Sequence, residues 1–137
     1  MAIQVMTNAV VTINGVDLSD HIDSVELNYE AADVKTTNFG SNGSETRTYG
    51  LKSGSVTISY QQDYASGKVD ATLFSLVGAA PVTITVKASS AATSASNPIF
   101  SGSFLVNNYK PVSGKTGDLA TFSSTYPLSG ALTRATS

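Results

Sequence analysis

The chain has 137 residues, no cysteine, one histidine and a formal charge of -2. That composition excludes disulfide staples and thiolate metal sites, and it provides no basic field to grip a nucleic-acid backbone. Ser and Thr number 36 against 18 charged residues, so the surfaces are mild and wet, better suited to packing or passing things than to catalysis.

One domain spanning residues 1–137 is expected at this length, hiding roughly 68% of the unfolded surface. The start Met1-Ala2-Ile3-Gln4 has neither the basic residues nor the apolar stretch of a secretory leader. No apolar run approaches the roughly 18 residues of a membrane helix, so no membrane partner is expected.

Ala9 to Ile13 predicts a first strand, and Asn14-Gly15 a tight hairpin turn, because both central residues of that turn need positive φ. Ile22 to Tyr29 alternates Val25, Leu27 and Tyr29 with Glu26, Asn28 and Glu30, the period of a half-buried strand. Asp17, Asp20, Asp23, Glu26, Glu30 and Asp33 follow one another with no Lys or Arg between them. They read either as a solvated strand edge blunted by charge or as a surface that repels a polyanion.

From Ala31 to Lys52 no periodicity is sustained, and Gly40, Gly43 and Gly50 interrupt the chain. A structureless run of this length is usually functional or disordered. Its anchors Phe39, Arg47, Tyr49 and Leu51 predict a projecting loop or loose hairpin that orders against something else.

Gly54 to Gln62 is a strand with Val56, Ile58 and Tyr60 on one face. Lys68 to Val77 carries the one helical pattern, with Ser66 as N-cap, Asp70 in the first turn and Gly78 as the stop. Val82 to Lys87 is a strand, Ala88 to Asn97 a flexible Ser/Ala/Thr loop, and Ile99 to Tyr109 and Leu119 to Leu128 two long strands. Residues 130–137 read as a flexible polar tail. The sum is all-β with one short flanking α-helix, a β-sandwich or half-open barrel. Tyr60, Tyr64, Phe74, Phe100, Phe104, Tyr109, Phe122 and Tyr126 mostly fall at core positions of these elements.

Catalytic constellations fail on spacing. His21 among Asp17, Asp20 and Asp23 lacks a Gly-x-Ser-x-Gly nucleophile elbow, and Ser19-Asp20-His21 reads as a turn. The same three acids miss the ligand spacing of a calcium loop. Gly114-Lys115-Thr116 has Tyr109 where a phosphate loop needs its first glycine. Glu26 and Glu30 could pair for sugar hydrolysis, but they lie in one wet row, and no tryptophan is present to stack a sugar. No enzyme, cofactor or metal is expected.

Six segments carry a likeness: Val16-Asp17-Leu18-Ser19-Asp20-His21-Ile22-Asp23-Ser24-Val25-Glu26-Leu27, Thr36-Thr37-Asn38-Phe39-Gly40, Gly50-Leu51-Lys52-Ser53-Gly54-Ser55-Val56, Asp70-Ala71-Thr72-Leu73-Phe74-Ser75-Leu76-Val77-Gly78, Gly117-Asp118-Leu119-Ala120-Thr121-Phe122 and Ser129-Gly130-Ala131-Leu132-Thr133-Arg134. In this order, over nearly the whole chain, they resemble the short tail tube (major tail) proteins of long-tailed, non-contractile bacteriophages.

The resemblance implies a tail-tube-like sandwich and hexameric rings stacked into a tube through which DNA leaves the virion without specific binding. It further implies partners such as tape-measure and tail-terminator or tip proteins, a place in the virion tail, and assembly in the host cytoplasm. On this reading Glu26, Asn28 and Glu30 face the lumen, the alternative being an outer solvated wall. Asn38, Phe39, Arg47 and Tyr49 belong to an inter-subunit or inter-ring loop, the alternative being a flexible surface hairpin. The rival function is a capsid decoration protein or a minor tail or adhesin binding module of the same fold class.

Overall fold

A computed structural model describes residues 3–137; Met1 and Ala2, the first half of the stretch without a leader pattern, lie outside the described residues. Strand β1 (Val10–Ile13) turns at Asn14-Gly15 into β2 (Val16–Asp17). Both turn residues hold positive φ, 52° and 82°, as a two-residue hairpin loop requires. After a 3-10 turn at Ser19–His21 come β3 (Ile22–Lys35) and β4 (Arg47–Gln61), then helix α1 (Val69–Leu73), β5 (Val82–Lys87), β6 (Ile99–Phe104), β7 (Thr121–Pro127) and β8 (Thr133–Ala135).

The strands form two sheets, one ordered β2-β1-β5-β6-β8 and the other β3-β4-β7. Every named pair is antiparallel. Between the sheets lie Val11, Ile13, Ile84 and Phe104 from the first and Val56, Ile58, Tyr60, Phe122 and Tyr126 from the second, all buried. Each such side chain contributes roughly 1.5–3 kcal/mol on burial. Tyr60 stacks on Phe122 with ring centroids 4.9 Å apart, and the Tyr60 and Tyr126 hydroxyls meet at 3.1 Å inside the core. Val69 and Leu73 of α1, with Leu18 and Val106, add to the same core. Leu128 packs over two glycines: a Cβ at Gly102 would sit 2.7 Å from it, and one at Gly54 would sit 2.7 Å from the Asn28 carbonyl.

Several expected boundaries move. Half of the span 31–52 is strand: β3 runs on to Lys35 and β4 begins at Arg47, leaving 36–46 as the connection. The two strands pair through Ala31↔Lys52, Asp33↔Tyr49 and Lys35↔Arg47 past a bulge. The tail 130–137 is not uniformly free, because β8 pairs with β6 through Ile99↔Ala135 to Ser101↔Thr133, and Leu132 packs on the core.

The helix is shorter than its pattern, continuing as a 3-10 turn over Phe74–Leu76. Its N-cap is Lys68 rather than Ser66, while Gly78 takes positive φ at the stop. Phe74 and Tyr64 are exposed, not core. The loop at 88–97 is tied down by the Asn97 amide, which donates to the carbonyls of Ser89, Ala91 and Ala92. The strand expected through Tyr109 ends at Phe104.

A cation-poor polar face and an exposed arm

Register fixes what the smaller sheet shows on each side. Val25, Ile58 and Ser124 lie in one row across β3, β4 and β7, and Leu27, Val56 and Tyr126 in another; these rows point into the core. The intervening rows are Ser24, Ser59 and Ser123, then Glu26, Thr57 and Thr125, then Asn28, Ser55 and Pro127, with Glu30 opposite Ser53 beyond. Alternation therefore brings Glu26, Asn28 and Glu30 together on the outer face of this sheet. All three are exposed. The neighbouring hydroxyls are knit together, Thr57 to Thr125 at 2.9 Å. Glu26 and Glu30 stand about 13 Å apart along the strand, beyond the Debye length of about 8 Å at physiological salt.

A cation borders this face. Lys110 Nζ donates to the Ser123 carbonyl at 2.8 Å and shares a shallow hollow with Asp23, Ser59, Ser113 and Thr121. Asp23 stands at the bulge between Ile22 and Ser24.

Beyond Leu27 on β3 and before Gly54 on β4, both faces of the hairpin are exposed. This arm reaches roughly 23 Å past the sandwich at about 3.3 Å per residue. Its tip is self-capped: Asn38 Oδ1 accepts from the Gly40 amide at 2.8 Å and Asn42 takes a left-handed φ of 51°. Arg47 donates to Asp33 at 3.2 Å and to Glu45 at 3.1 Å, and Lys35 reaches Glu45 at 3.2 Å. Exposed pairs of this kind are worth about 0–1 kcal/mol each. Phe39 is fully exposed, and Tyr49 and Leu51 are each 85% exposed. So the arm unites Arg47 with acids that sequence reading did not pair with it, while Phe39 stands out at the tip.

The histidine joins no nucleophile. His21 Nδ1 lies 2.7 Å from Asp20 Oδ1 and Nε2 lies 2.7 Å from Asp63 Oδ2. Asp17 accepts from the Ser19 amide at 2.9 Å and from its hydroxyl. Among the described residues no group of three or more His, Cys, Asp or Glu is placed to hold a metal ion. A groove of about 440 Å³ runs between β1 and the start of β3, lined by Val10, Ile22 and Val25 with Asp17, Asp20 and Asp23 around it.

Two antiparallel sheets, one with a polar outer face and a hairpin drawn far beyond the core, define a β-sandwich. No protein-family model and no curated protein sequence matches the chain. Solved structures do. A chain in the virion of a native gene transfer agent particle aligns over 97% of this chain and 99% of its own, with TM-score 0.76 and 14% identity. A second, in the tail of an empty gene transfer agent particle with C6 symmetry, aligns over 82% and 81%, with TM-score 0.64 and 16% identity. The chain has the fold of these virion proteins.

Proposed function

We propose that this chain is a structural subunit of a phage-like tail, assembling in the host cytoplasm into hexameric rings that stack as a tube for DNA passage. The observation that carries this reading is the outer face of the β3-β4-β7 sheet, built from Ser, Thr, Asn and two acids. DNA presents one phosphate charge per about 1.7 Å, so weak attraction repeated along a wall would sum and stall its movement. A hydroxyl-lined wall with rings of carboxylate offers no such hold. Sixfold symmetry in the tail of similar fold supports the ring. The exposed arm is the part suited to reach a neighbouring subunit or ring, and a tape-measure and a terminator or tip protein would bound the tube.

One observation favours the rival reading. Phe39, Tyr49 and Leu51 form an exposed apolar set that a decoration protein or adhesin domain would use on a ligand. Negative-stain microscopy of the purified chain separates the two. Rings about one subunit thick with a central hole, stacking into tubes as concentration rises, are expected; a uniform small oligomer without a bore overturns the tail reading.

A further inference from the structure

Strand β7 is an outer edge of the polar sheet, yet its outward carbonyls are occupied. Pro127 O accepts from the Leu105 amide at 3.0 Å, Thr125 O from Asn108 Nδ2 at 2.9 Å, and Ser123 O from Lys110 Nζ at 2.8 Å. Acceptors two residues apart on one antiparallel strand share a side, so a single strap, Leu105–Lys110, lies along this edge. It is the continuation of β6, crossing from the larger sheet to the smaller, and it runs antiparallel to β7. Regular pairing from Leu105 would set the amides of Asn107 and Tyr109 on Thr125 and Ser123; instead, side chains one residue further on span the gap. The strap is pinned from behind. Val106 is buried and its carbonyl accepts from the Gly78 amide, while the Tyr109 hydroxyl donates to Asp70 at 2.6 Å.

Direction makes this strap informative. β3, β4 and β7 alternate, so β3 and β7 point the same way, and a three-stranded unit repeated in a ring would meet its neighbour in parallel. A fourth strand restores antiparallel contact all round, and the strap has the required direction. The other edge, β3, is 14 residues long, and no strand among the described residues covers its outer side. Charges match at the same level. Ser123, Ser59 and Ser24 share a row, so Lys110, bonded to the Ser123 carbonyl, stands level with the acid-lined groove at the start of β3.

We infer that the strap Leu105–Lys110 is an unfinished fourth strand of the polar sheet, and that the β3 edge of a second copy completes it. This rests on the ring reading above and specifies which edges meet. The natural absence of cysteine allows a clean test. Asn107→Cys is combined in turn with Ser24→Cys, Glu26→Cys or Asn28→Cys, all exposed positions; three partners allow for stagger between copies. Within one chain the paired sites lie about 14 Å apart, three strand spacings, beyond the reach of a disulfide at about 4.4–6.8 Å between Cα atoms.

Oxidation of assembled material is expected to give, for at least one pair, a covalent ladder ending at six on a denaturing gel, with single-cysteine controls stopping at dimers. Rings seen by microscopy without a ladder from any of the three pairs overturn the strap contact and leave the tail reading standing. Absence of rings from the unmodified chain removes both.

Discussion

His21 shows how much one side chain decides at the residue scale. Carboxylates only accept, and a neutral imidazole has one N–H, so bonds from both ring nitrogens to Asp20 and Asp63 require the imidazolium. The hydrogen bond that His21 donates to Asp20, with the one it donates to Asp63, raises the His21 pKa above its ordinary value against the opposing effect of burial. Asp20 is held low chiefly by His21, and Asp63 chiefly by the Ala65 amide and then His21; Lys68 adds a contact to Asp20 at 4.0 Å. Since the folded pKa exceeds the unfolded value of about 6.5, the stabilisation is full below that pH and fades as pH rises through the raised value. It fades again at acid pH as the two carboxylates protonate. Melting curves of the unmodified chain and His21→Ala are therefore expected to differ most near about pH 5.5, below the unfolded value, and to converge as pH rises above it. A gap in melting temperature that is constant across that range would show that the imidazolium contributes nothing. The Ser19–His21 turn was readable from residue type; the partner Asp63, 42 positions away, was not, because no local pattern announces a pair made by folding.

Legibility at the scale of elements followed contrast between faces. Val56-Ile58-Tyr60 and Phe122-Ser124-Tyr126 each bury one side, so their period of two was visible and correctly oriented. Residues 31–35 and 47–52 are wet on both faces, and a bulge between Ala31 and Asp33 shifts their register; strands of that kind leave no alternation to read. The opposite error arose at Leu105 to Tyr109, where apolar residues continue but Val106 and Tyr109 are drawn off to the helix side. Phe74 follows α1 in the 3-10 turn, where the inward face is taken by Val69, Thr72, Leu73 and Leu76, and it is left exposed.

An arm of two strands is marginal in water on its own, and its ion pairs are weak, so the ring reading makes a specific demand on it: the arm must matter to assembly and not to the fold of one copy. Deleting Asn38–Thr46 leaves Thr36 and Thr37 between the paired Lys35 and Arg47, the length of a tight hairpin. The monomer is expected to keep its circular dichroism spectrum and to melt within a few degrees of the full chain, while tubes disappear from negative-stain fields. Tubes of normal length and stability from the deletion would remove the arm from assembly.

For the whole molecule, the placement of Glu26 and Glu30 on one open face turns a charge pattern into a statement about transport. In a ring each acid would recur in every copy at one level, giving two bands of like charge separated by more than a screening length, so their mutual repulsion costs little at physiological salt. The same reasoning says assembly should survive reversal of sign. Glu26→Lys with Glu30→Lys is expected to yield tubes of ordinary appearance whose wall now attracts phosphate. Such tubes should retain double-stranded DNA at low salt and release it steeply as salt rises, as counterion release demands. Particles carrying the double variant should deliver their genome at least tenfold less often, an order-of-magnitude figure corresponding to about 1.4 kcal/mol of retained binding summed over many weak contacts. The salt series distinguishes this from damage to the tube, because a broken conduit would not recover with ionic strength. Delivery unchanged at low salt, or a map of the assembled tube with both side chains on its outer wall, would assign the hydroxyl-lined face to solvent and send the search for the lumen to the larger sheet.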